Sequence, residues 1–155
     1  MNAETSKESL QKMSERISFK YPAIGWYFSA EDIEDSFVFK KDKWVCMCMY
    51  LKMITKNRKR MQFSEYFGNA CTGPAEYYGF CELINDDGQF ISETEGFKKS
   101  RELARRYHQE SLTSIHSPKG KYLYVEPIDN IDNNRVIEVV CLFPDLKGLA
   151  SLVVL

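Results

Sequence analysis

Three of the five cysteines fall within one stretch, WVCMCMYLKMITKNRKRMQFSEYFGNACTGPAEYYGF, at Cys46, Cys48 and Cys71, and a fourth, Cys81, follows directly. Cys71 has the most informative surroundings. Asn69-Ala70-Cys71-Thr72-Gly73-Pro74 places its thiol at the expected start of a short helix over residues 72–80, with Pro74 in the first turn. Unpaired amides at a helix start favour negative charge, so a thiol there ionises at lower pH. Such a thiolate can hold a small ligand or a metal, or attack an electrophile. Thr72 and Gly73 follow it directly, Tyr78 lies further along the same segment, and Cys46 is the further thiol grouped with this candidate ligand site. Tyr66, Phe67, Tyr77, Tyr78 and Phe80 add ring surface that can line a pocket for a flat or apolar ligand. The plainer role for all of them is packing, because cysteine is among the most buried residues and most aromatics serve cores.

Metal ligation has weaker support. The candidate ligands are Cys46, Cys48, Cys71 and Cys81. On a strand, the Cys46-x-Cys48 pair would share one face; on a helix the two thiols diverge by ~200°. Metal sites generally use Cys-x-x-Cys pairs or histidines at set spacing, and neither pattern is present. His108 and His116 are the only histidines. Neither has a partner nearby in the sequence, although a Cys–His pair can meet in space. No motif names a cofactor, and no residue can be assigned a catalytic role beyond Cys71 as a candidate nucleophile or redox centre.

Composition bounds the remaining possibilities. At 155 residues the chain suits one domain, and a formal charge of −1 gives no general attraction to nucleic acid or to an anionic membrane. The basic run at Lys56, Arg58, Lys59 and Arg60 reads as a solvated turn. The polar first residues do not form a signal peptide, and no apolar run approaches the ~20 residues that span a bilayer. A cytoplasmic location with reduced thiols is therefore expected, with no nucleic-acid or membrane partner.

The elements that must position the thiols can be sketched. Thr5 and Glu8 suggest a capping box opening a helix over residues 5–17, ended by Tyr21-Pro22. Strands are expected over 23–28, 37–39 and 61–66. Residues 44–55 are apolar almost all round, and their length, methionines and leucine favour a buried helix ending near Asn57. Asn85-Asp86-Asp87-Gly88 is a turn. A second capping box, Ser92 to Glu95, predicts a helix through Ser111, with Phe97, Leu103, Ala104 and Tyr107 facing inward. Strands at 122–127 and 136–143 follow. Pro144-Asp145 then opens a helix in which Leu149, Leu152, Val153 and Leu155 cover the preceding strand. This alternation implies an α/β fold, with α+β as the alternative: one domain over residues 1–155, with a central mixed sheet and packed helices. The apolar end LASLVVL is either docked in the core or exposed by shortening, and in the second case it would drive self-association.

Three fragments together resemble a known family. They are the early apolar strand YPAIGWYF; a cysteine before an apolar helix, followed by CTGPAEYYGF; and YLYVEPIDNID with VIEVVCLFPDLKGLASLVVL. The chain is similar, over about residues 8–155, to the DUF169 family of uncharacterised bacterial and archaeal proteins. Members of that family are usually longer after the Leu-rich helix, so the resemblance implies a C-terminally shortened member. It implies a fold and no activity. Three readings stay open at this level: a small-ligand or metal binding module centred on Cys71, a thiol-dependent enzyme or redox protein using Cys71, and a shortened family member without an active site.

Overall fold

The computed structural model describes residues 1–38, 47–64, 89, 92–93, 96, 98–111 and 119–153. In chain order the elements are α1 (Ala3–Ser14), β1 (Phe19–Ser29), β2 (Phe37–Val38), α2 (Met47–Asn57), β3 (Met61–Phe63), α3 (Arg101–Ser111), β4 (Tyr122–Pro127), a single 3-10 turn (Ile128–Asn130), β5 (Val139–Pro144) and α4 (Leu146–Val153). The expected α/β fold is present. One five-stranded sheet runs β2-β3-β4-β1-β5, with a strand from each of the five segments expected to supply one. It is mixed: β2 and β3 are parallel, and the other neighbours are antiparallel.

Strand alternation gives this sheet two different faces. Ile24, Trp26, Met61, Phe63, Leu123 and Val125 point to one face, where Met47, Tyr50 and Ile54 of α2 cover them in a continuous apolar cluster. Tyr27, Tyr124, Gln62 and Glu126 take the intervening positions and point to the other. There Ala3 and Leu10 of α1 pack with Ile128, Ile131 and Ile137, from the segment that links β4 to β5. Gly25 permits that cover, since a Cβ at this position would lie 2.5 Å from the Ile131 side chain.

Several boundaries differ from the sequence expectation. Thr5 is not the cap of α1. Asn2 is, its side-chain oxygen accepting the Thr5 amide at 2.9 Å, so the helix starts early enough to bury Ala3. β1 begins at Phe19 rather than Ala23, and Pro22 is tolerated because the register with β5 shifts on both sides of Tyr21. The 92–95 capping box does not open α3, which starts at Arg101. Ser100 Oγ accepts the Leu103 amide at 3.3 Å, and Gly96 lies before it at φ +63°, a conformation that stops a right-handed helix. Within α3, Ala104 is buried as expected, whereas Leu103 is about half exposed. Pro144 closes β5 rather than entering α4, and Asp145 caps that helix through the Gly148 amide at 2.7 Å. Ser18 Oγ also donates to Asp145, at 2.5 Å, tying α4 to the junction between α1 and β1. Leu149 remains half exposed rather than covering β5. No described helix is long and apolar enough to cross a membrane.

Candidate functional site

The described residues contain a polar seam across the second face of the sheet. Its centre is Glu126 on β4, with only 1% of its surface exposed. Glu126 Oε1 accepts the Tyr27 hydroxyl from β1 at 2.7 Å and the Arg60 Nε–H at 2.7 Å. Arg60 directly precedes β3, so this trio links three adjacent strands. Burial opposes the Arg60 charge, but the hydrogen bond and opposite charge of Glu126 outweigh it and hold the guanidinium above its ordinary value. Burial, then the hydrogen bond and charge of Glu126, push the Tyr27 phenol well above the usual tyrosine range. Arg135 lies over the Tyr27 ring, 5.8 Å from its centroid.

One register step along, Tyr124 stacks on Tyr27 with centroids 5.5 Å apart. Its hydroxyl donates to the Glu31 carbonyl at 3.0 Å and accepts from the Ile33 amide at 2.9 Å. The Gln62 amide nitrogen lies 3.1 Å from the same hydroxyl and 2.8 Å from Asp32 Oδ1. The 31–33 turn is thereby fastened to the seam. The turn between α2 and β3 is fastened as well. Arg58, at φ +51°, pairs with Asp129 at 3.2 Å, and its carbonyl accepts from Asn130 at 3.1 Å. Chemically, the seam is a set of matched donors and acceptors that fixes where three strands and two turns meet.

Of the thiols singled out from the sequence, Cys46, Cys71 and Cys81 lie outside the described residues, as do Thr72, Gly73 and Tyr78. Cys48 is exposed in the first turn of α2. It therefore sits on a helix rather than a strand, and it is not packed in the core, the plainer role open to it. Cys141, on β5, borders the apolar cluster. Burial raises its thiol above the ordinary value, partly offset by a hydrogen bond from the Trp26 side chain, which suits an unreactive packing residue. Among the described residues no group of three or more His, Cys, Asp or Glu could hold a metal ion. His108 lies within α3, and His116 lies outside the described residues.

The seam was not anticipated as a site. A signal was present in YLYVEP, where strand alternation places Glu126 on the same face as Tyr122 and Tyr124. A charged residue at an inward position calls for a buried partner. Its partners, 66 and 99 residues away in sequence, carried no local mark.

A protein-family model matches residues 12–155; the family is DUF169, described as "Uncharacterised ArCR". The chain belongs to this family. No curated protein and no solved structure matches it.

Proposed function

We propose that this DUF169 protein is a small-ligand or metal binding module, with the Cys71 turn as its site and the sheet as its support. The observation that carries the reading is the anchoring of β3. The Arg60–Glu126–Tyr27 trio holds the entry to this strand against β4 and β1. The chain passes from β3 into the segment bearing Cys71, Thr72, Gly73 and Tyr78. A buried ion pair is a weak source of net stability, and its best-attested use is to fix one arrangement of elements. A binding site needs such support, since ligating groups must be held to within about half an ångström. Cys46, Cys81 and Cys48, the last exposed at the start of the helix that leads into β3, are the further candidate metal ligands of the same site.

The test is rate-resolved alkylation of the purified chain with mass spectrometry, together with elemental analysis for bound metal. Cys71 should label faster than the other four thiols. Added zinc, or a ligand that co-purifies, should slow that labelling, and Cys71→Ser should abolish retention of either. Labelling of Cys71 no faster than a model thiol, or only after denaturation, overturns the reading and leaves packing as its role. A turnover that depends on Cys71 would move the protein into the enzyme class.

A further inference from the structure

We draw no further inference here: the strongest candidate, the apolar patch that Leu146 and Leu149 of α4 form beside the edge strand β5, carries nothing because nothing in the structure shows what covers it.

Discussion

The two faces of the sheet are built from the same strands by opposite means. Under α2, Ile24, Trp26, Leu123 and Val125 bury apolar surface against Tyr50 and Ile54, an attraction without direction that tolerates small shifts. On the other face Tyr27, Tyr124, Gln62 and Glu126 bury polar atoms that must meet their partners within hydrogen-bond distance. The difference separates two contributions. Apolar burial, at about 25 cal/mol per Å² removed from water, is the contribution of the face under α2, whereas on the other face it comes from the Ile128, Ile131 and Ile137 cover alongside the polar seam. The polar face supplies register, since a one-residue slip would leave Glu126 among apolar side chains and expose its partners. The turns that lead into and out of the sheet, at 31–33 and 58–60, are both tied to the polar face.

The largest expected effect follows from breaking the buried pair. Arg60→Ala leaves the Glu126 carboxylate buried without its cation, and should destabilise the fold by roughly 3–5 kcal/mol in urea unfolding. Leu123→Ala, on the apolar face, should cost roughly 2–5 kcal/mol through transfer and cavity terms. Only the first loss should be recoverable by making the neighbourhood apolar. The triple change Arg60→Met, Glu126→Leu and Tyr27→Phe should regain most of the stability. It should also loosen the 58–60 turn, seen as faster hydrogen exchange there. A loss below about 1 kcal/mol for Arg60→Ala would show that the two faces are not different in kind.

The buried phenols sharpen the contrast. Tyr50, on the apolar face, is pushed up to about 12 by burial alone. Tyr27, on the polar face, is raised by burial and also by Glu126. In both cases the neutral phenol is favoured in the fold. Its contribution is complete below the ordinary tyrosine value of 10.0 and, for Tyr50, is lost as pH rises from there through about 12. Spectroscopic titration should find both phenols ionising late. Glu126→Gln should bring Tyr27 down and leave Tyr50 where it is. An equal response of the two would mean that Glu126 does not act through Tyr27.

These particulars also show what the sequence could and could not disclose. The strand at Tyr122–Pro127 has the bounds expected of it, because alternating aromatic and aliphatic residues between loop signals leave little ambiguity. β1 is longer than the sequence suggests, because Pro22 is a local stop signal that a register shift overrides through tertiary pairing. The 92–95 capping box failed because a cap signal needs a following helix, and Gly96 turns the chain the other way. The resemblance to DUF169 was legible from three separated fragments, of which the first falls on β1 and the third on β4, β5 and α4. The seam was not, because Tyr27, Arg60 and Glu126 meet only once the sheet has formed. Of the thiols proposed as the site, Cys48 shows how an apolar run misleads: Met47, Tyr50 and Ile54 are buried, while Cys48 and Met49 on the same helix face solvent.

A smaller effect is expected where α4 meets the β1 start. Hydrogen bonds from Ser18 and then from the Gly148 amide hold the Asp145 carboxyl below its usual value of 3.8. A lowered value means that the contribution is present above the unfolded value and is lost as pH falls through the folded one. Protection of the first α4 amides should therefore weaken in acid below about pH 4, before the sheet is affected. Asp145→Ala should remove that pH dependence. Unchanged acid behaviour in this variant would show that the cap does not set the stability of α4.

The smallest change lies at the hinge between the two faces, where α2 from the apolar side turns into β3. Arg58 stands there at φ +51°, its amide donating to the Ile54 carbonyl at 2.8 Å to cap α2. A non-glycine residue in this conformation stores on the order of 1 kcal/mol. Its side chain pairs with Asp129, but both partners are at least half exposed, so the pair contributes about 0–1 kcal/mol. Arg58→Gly relieves the backbone and keeps the carbonyl that Asn130 holds. It loses the ion pair and adds freedom to the unfolded chain. These terms nearly cancel, so the unfolding free energy in urea should move by less than about 1 kcal/mol in either direction. Asp129→Ala, which removes the ion pair and leaves the backbone strain, should be the less stable of the two. If Arg58→Gly instead destabilises by well over 1 kcal/mol while Asp129→Ala matches it, the guanidinium rather than the backbone turn holds the hinge. The Arg58–Asp129 pair would then carry as much of the polar network as Arg60 does, and the boundary between the two faces would fall at the end of α2.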